Sequence, residues 1–116
     1  MKPQHVLYLS LGAADEKLGK LEDAAKAYQE SIRIKPTFTY ALYNLAVIDS
    51  KQDRPQEAIE LLRKVVELEP KNIFAQHALG MLYFRTGEKT GAMQQYYILQ
   101  TLNPKLAEDF LRSIPK

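Results

Sequence analysis

The sequence predicts an all-α fold, an α-solenoid of antiparallel helix pairs with about seven helices. Three observations predict it. Ile34-Lys35-Pro36, Leu68-Glu69-Pro70 and Leu102-Asn103-Pro104 recur on a 34-residue step. Small residues keep the same step at Gly12, Ala46 and Gly80 and at Ala24, Ala58 and Ala92. Large ones keep it at Leu11, Leu45 and Leu79 and at Tyr28, Leu62 and Tyr96. Inside each unit the apolar residues advance by three and four positions, the period of an amphipathic helix.

Taken in order, helices are expected at about 4–17, 21–34, 39–51, 55–68, 73–85, 89–102 and 105–114. Gly19 breaks the first pair and Pro36 closes it. In the second unit Ala41, Leu42, Leu45, Ala46 and Ile48 make one stripe, interrupted by Ser50-Lys51-Gln52-Asp53-Arg54-Pro55. Pro55 suits a first helical turn, where its missing N–H is no loss. A second stripe, Ala58, Ile59, Leu62, Val65, Val66 and Leu68, ends at Pro70, whose ring would clash with the preceding turn. Gly87 marks the matching turn of the third unit, and Gly91 weakens the next helix start by roughly 1 kcal/mol against Ala. The last segment sets Leu106, Phe110, Leu111 and Ile114 against Lys105, Glu108, Asp109 and Arg112, the two-sided pattern of a terminal cap.

The composition fits one domain spanning 1–116, with repeats at about 5–38, 39–72 and 73–106 and a capping helix at about 105–114. With 46% hydrophobic and 26% charged residues among 116, the chain has an ordinary globular balance. Sixteen Lys and Arg face fourteen Asp and Glu, and no unit is a basic stripe, so no nucleic-acid partner is expected. Zero cysteines remove disulfides, thiol nucleophiles and Cys-type metal sites. His5 and His77 lie far apart in sequence without ligand-spaced company, so no metal is expected. Ser10, Ser31, Ser50 and Ser113 lack a His–acid partner, and no Gly-rich phosphate loop is present. Hence no catalytic residue, no cofactor and no enzyme activity are expected. No apolar run approaches the ~18 residues of a membrane span. The stretch from Lys2 to Ala14 loosely imitates a secretory leader, but Ser10 interrupts it and each residue has a place in the repeat. A cytoplasmic protein is the expectation.

Tyr8, Leu11, Gly12, Ala24, Tyr28 and Pro36 form a pattern repeated as Leu42, Leu45, Ala46, Ala58, Leu62 and Pro70. It returns as Gln76, Leu79, Gly80, Tyr83, Ala92, Tyr96 and Pro104. This resembles the tetratricopeptide repeat over residues 5–106. Gln76 departs from it where a large apolar residue is usual, as do Asp15 and Asp49 where an aromatic is common.

The resemblance implies a right-handed superhelix whose concave face is lined by the first helix of each pair. The groove residues would then be Leu9 and Ala13, flanked by Val6 and Glu16, from the first unit. Tyr40, Tyr43, Asn44 and Val47, with Ser50 and Lys51, would follow from the second. Phe74, His77, Met81 and Phe84, with Ala78 and Arg85, would come from the third. Such a surface is rich in the Tyr, Phe and Met found at interface cores. At helical spacing the same rings also serve as core, and Tyr40 and Phe74 are expected to wedge between adjacent first helices. Tyr43, His77 and Phe84 are the expected contact residues. Relatives that grip the acidic C-terminal tail of heat-shock chaperones use Lys, Asn, Asn, Lys and Arg. Here those positions hold Leu9, Ala13, Asn44, Phe74 and Ala78. Only the asparagine remains, so a chaperone tail is not the expected partner.

The implied function is a protein-interaction scaffold that holds an apolar or amphipathic peptide segment, without chemistry of its own. The alternative is a self-assembling homo-oligomer. It would pair through the groove or through the convex side of the uncharged stretch Thr90 to Pro104, where Tyr97 is the candidate contact. The cap at 105–114 is expected to cover most of that second surface.

Overall fold

The computed structural model describes residues 2–114, and within them every regular element is helical. The elements are α1 (Gln4–Lys17), α2 (Leu21–Ile34), α3 (Thr39–Lys51), α4 (Pro55–Leu68), α5 (Ile73–Arg85), α6 (Lys89–Leu102) and α7 (Pro104–Ser113). Six coincide with the expected spans. The seventh starts one residue early, because Pro104 occupies its first turn instead of preceding it. The Asn103 side chain caps it by accepting the Leu106 N–H at 3.1 Å. No described helix is long and apolar enough to cross a membrane.

The turn inside each pair is one device used three times. Lys20 N–H donates to Asp15 C=O at 2.9 Å, Arg54 N–H to Asp49 C=O at 2.8 Å, and Glu88 N–H to Tyr83 C=O at 2.8 Å. The residue before each donor carries a positive φ: Gly19 at 77°, Asp53 at 59° and Gly87 at 82°. These are Schellman closures, in which a left-handed residue lets the chain cap the orphan carbonyls of the finished helix. Glycine takes that conformation freely; Asp53 adopts it at some cost.

The turns between pairs are extended and tied by side chains. Glu69 accepts from Thr39 Oγ1 at 2.7 Å and from Asn72 Nδ2 at 3.0 Å, while Asn72 Oδ1 caps α5 by accepting from Ala75 N–H at 3.1 Å. Each second helix thus returns the chain to start the next first helix beside the previous one.

Stacking divides the core into two clusters. The larger joins Leu42 and Ala46 of α3, Ala58, Ile59, Leu62 and Val65 of α4, Leu79, Leu82 and Tyr83 of α5, Leu99 of α6 and Phe110 of α7. The smaller joins Ala24 and Tyr28 of α2 to Leu45 and Ile48 of α3. Small residues allow the close approach. A Cβ on Gly80 would lie 3.1 Å from the Phe110 ring, and one on Gly91 would lie 2.9 Å from the Tyr83 ring. The result is an elongated body of 45 × 25 × 20 Å.

Candidate functional site

The first helices of the pairs place their candidate residues in two open clefts. The larger, about 930 Å³, lies between the N-terminal halves of α3 and α5. Tyr40, Tyr43 and Asn44 form one wall, Ile73 and Phe74 the other, and Glu69 to Asn72 of the preceding turn close its end. The second, about 600 Å³, opens between the C-terminal halves of the same helices. Val47, Ser50 and Lys51 face Ala78, Met81, Phe84 and Arg85 across it, over Ala46, Leu62 and Leu82, with Ser113 of α7 at one edge.

Tyr40 and Phe74 do not wedge into the seam. Each is 69% exposed. The next residue of each helix is an alanine, Ala41 or Ala75, and both are sealed. The rings one helical step away are carried outward into the cleft. Tyr43, Met81 and Phe84 are half-buried, their inner sides packed on the larger core cluster and their outer sides free.

Five of the expected groove residues, Val6, Leu9, Ala13, Glu16 and His77, line neither cleft. Leu9 packs against the Ala24–Tyr28 cluster. Ala13 is half-buried on α1, away from both hollows. His77 turns toward the cap, its ring edge-on to Phe110 with centroids 5.7 Å apart. Burial there holds its imidazole below the usual histidine range, against the opposing pull of Asp109.

A polar ledge runs along the C-terminal ends of the first helices. Glu16 accepts from Tyr28 Oη at 2.6 Å and approaches Lys51 Nζ at 3.9 Å. Arg85 donates to Ser50 Oγ at 3.1 Å and to Asp53 at 3.4 Å. Burial, reinforced by the Glu16 carboxylate, pushes the Tyr28 hydroxyl far above its ordinary range, so it serves as a fixed donor.

Sequence reasoning missed the floor and the end walls. Leu62 and Ser113 belong to elements that the repeat places outside the groove, and Glu69, Pro70, Lys71 and Asn72 sit in a turn. The turn was the findable part, since it lies directly before the N-terminus of α5. Among the described residues no three His, Asp or Glu side chains gather as a metal site. Ser113 Oγ spends its proton on the Phe110 carbonyl at 2.7 Å.

On the other side of the molecule, α7 covers only part of α6. Leu99 is sealed, whereas Tyr97 is 59% exposed and Met93 and Ile98 are also open. The counterparts of Tyr97 in α2 and α4, Gln29 and Arg63, are exposed as well, so Tyr97 lies on the convex side beyond the reach of the cap, and the expected coverage of most of this surface is not reached.

A family model described as TPR repeat matches residues 12–53, and one described as tetratricopeptide repeat matches 39–72. The peroxisomal targeting signal receptor of Saccharomyces cerevisiae is 28% identical over 72 residues, 62% of this chain and 12% of that protein. Anaphase-promoting complex subunit 3 of Dictyostelium discoideum is 30% identical over 95 residues, 82% of this chain and 10% of that protein. The chain therefore spans about a tenth of the length of these curated relatives. A solved structure of the first TPR of Spaghetti (RPAP3) bound to the HSP90 peptide SRMEEVD matches with a TM-score of 0.87 at 20% identity. The match covers 96% of this chain and 90% of that one, and it is a likeness of fold.

Proposed function

The chain belongs to the tetratricopeptide repeat proteins, and from that premise we propose that its concave face docks an apolar or amphipathic segment of another protein. Members of this family act as protein–protein interaction modules, and the repeat is generally non-catalytic. The observation that carries the finer reading is the pair of rings at Tyr40 and Phe74, each 69% exposed on facing walls of one cleft. Aromatic side chains left in water beside a hollow gain most when a partner's side chain fills it. The second cleft continues the same apolar wall through Val47, Met81 and Phe84, so a partner with anchors about one and two helical turns apart suits the two hollows together.

The occupant is not an acidic tail on this reading. Leu9, Ala13, Phe74 and Ala78 offer no cation where a carboxylate clamp needs one, and the Lys51 and Arg85 charges already face Glu16 and Asp53. Selection from a displayed peptide library tests the proposal. It should recover sequences with spaced apolar anchors whose binding weakens about tenfold or more in Tyr40→Ala/Phe74→Ala. Recovery of acidic C-terminal sequences such as SRMEEVD, or binding indifferent to the double substitution, defeats it.

Self-association is the second reading, favoured by the uncharged, open patch of Met93, Tyr97 and Ile98 on α6. Light scattering of wild type against Tyr97→Lys across concentration separates the two. A chain monomeric at high concentration removes this reading and leaves the groove standing.

A further inference from the structure

The two clefts share one face but offer a guest few hydrogen-bonding groups. Tyr40, Tyr43, Val47 and Lys51 of α3 advance by three and four positions, and Phe74, Met81 and Arg85 keep the matching side of α5. Most polar side chains around them are engaged with the molecule itself. In the first cleft Glu69 accepts from Thr39 and Asn72, and Asn72 also caps α5. Asn44 turns its amide to the Tyr28 hydroxyl. In the second, Ser50 accepts from Arg85, and Ser113 donates to the Phe110 carbonyl. What remains is a thin set, chiefly the hydroxyls of Tyr40 and Tyr43 and the ammonium groups of Lys51 and Lys71.

That set is too small to serve an extended guest, which carries one N–H and one C=O per residue into the groove. Each of those groups left unpaired weakens binding. A helix pairs its own backbone and brings only side chains. The groove also has a helix's length, since α3 and α5 are thirteen residues each, about 20 Å.

Charge gives the guest a direction. Lys51 and Arg85 are the charged residues lining the second cleft, and the acids beside them, Glu16 and Asp53, line neither hollow. Both pairs are long, 3.9 and 3.4 Å, and each cation is about half exposed, so each can turn to a second carboxylate. At the first cleft Glu69 and Lys71 offset each other. The chain runs from the first cleft to the second along both α3 and α5. An antiparallel helix would therefore bring its N-terminal turn to the two cations, and an acidic side chain in that turn also suits its own helix end.

On the groove reading above, we propose that the guest is an amphipathic α-helix of the partner, antiparallel to α3 and α5. It places apolar anchors in both clefts and an aspartate or glutamate of its first turn between Lys51 and Arg85. This is a side-chain carboxylate flanking apolar anchors, not a C-terminal acidic tail.

Two displayed libraries panned against the intact chain test this. One randomises the exposed face of a stable helix of about sixteen residues; the other holds linear peptides of the same length with a proline at every fourth position, which bars a helix. Binders that weaken about tenfold or more in Tyr40→Ala/Phe74→Ala are expected from the helical library alone, with Asp or Glu enriched in the first turn. Those binders should weaken about tenfold in Lys51→Glu/Arg85→Glu and recover when their first-turn acid is changed to Lys. Circular dichroism confirms that the variant folds, and Lys51→Gln/Arg85→Gln, the milder change, should weaken the same binders in the same direction. Groove-dependent binders from the proline library with equal affinity overturn the helix while leaving the groove standing. So does a helical binder indifferent to the two cations, or one whose acid lies in its last turn. If neither library yields a binder sensitive to Tyr40→Ala/Phe74→Ala, the groove reading fails and the helix with it.

Discussion

The ring of Tyr28 occupies the space that a side chain on Gly12 would need: a Cβ built there would lie 2.5 Å from Tyr28 Cε1. Tyr28 is wholly buried and its hydroxyl is held by Glu16, so the ring cannot swing aside. Gly12→Ala should therefore destabilise the chain by about 1–3 kcal/mol even though alanine is the better helix former by about 1 kcal/mol. Urea denaturation measures the net effect. Gly80→Ala, whose neighbours lie at 3.1 Å, should lose less; a larger loss there would contradict this account of the two contacts.

Asp53 stands where Gly19 and Gly87 stand in the other units, with the same positive φ and the same Schellman hydrogen bond. Asp53→Gly relieves the left-handed penalty and gives up one exposed ion pair to Arg85 at 3.4 Å, worth about 0–1 kcal/mol. A net gain of about 0.5 kcal/mol is expected, visible as a higher melting temperature. Gly19→Ala makes the opposite change and should lower it. A lower melting temperature for Asp53→Gly would show that the ion pair outweighs the backbone.

Exposure separates binding from stability in the groove. Tyr40 and Phe74 give little of their surface to the core, so Tyr40→Ala and Phe74→Ala should change unfolding free energy by no more than about 0.5 kcal/mol. Phe84→Ala, half-buried on the larger cluster, should lose more, in the range of about 1–3 kcal/mol. Thermal denaturation of the three variants checks the order. If Tyr40→Ala proved as damaging as Phe84→Ala, the open cleft would not describe the chain in solution.

The helix boundaries were legible because each is written locally: a glycine or aspartate in a Schellman turn, or a proline at a first turn or past a last one. The stacking order was legible because small residues repeat on one step. Direction was not. Helical periodicity says that Tyr40 and Ala41 lie on adjacent faces, but which of them is sealed and which is left in the open cleft depends on how the neighbouring helices cross. The His77–Phe110 contact was hidden for a similar reason, since it needs the position of α7. Gln76 shows a third limit. Its Nε2 reaches the Pro70 carbonyl at 2.9 Å while Oε1 stays buried without a partner, so one half of the amide explains its place and the other half does not.

His77 gives stability a pH dependence of defined sign. Its folded value lies below the ordinary 6.5, because burial beside Phe110 disfavours the imidazolium. The unfolded chain therefore binds the proton more readily, and stability falls as pH drops through 6.5 toward the folded value. Denaturation at about pH 7.5 and about pH 5.5 should show the loss in wild type and a smaller one in His77→Phe. Equal slopes would place the acid sensitivity elsewhere.

Gly91 looks like a defect in α6, a helix-weakening residue in its first turn, until Tyr83 is considered. The Tyr83 ring packs where a Gly91 side chain would be, 2.9 Å from a built Cβ, and its hydroxyl accepts from Arg63 Nε at 2.7 Å. The ring is buried between α4, α5 and α6 and pinned at its far end, so the glycine is the half of the contact that yields. Gly91→Ala alone should destabilise by about 1 kcal/mol or more, the overpacking exceeding the gain in helix propensity. In a Tyr83→Leu background the obstruction is gone, and the same substitution should become neutral or stabilising by up to about 1 kcal/mol. The double-mutant cycle therefore predicts a coupling of about 1–2 kcal/mol with a change of sign. Additive effects would mean that Gly91 is there for the chain's flexibility and not for the ring.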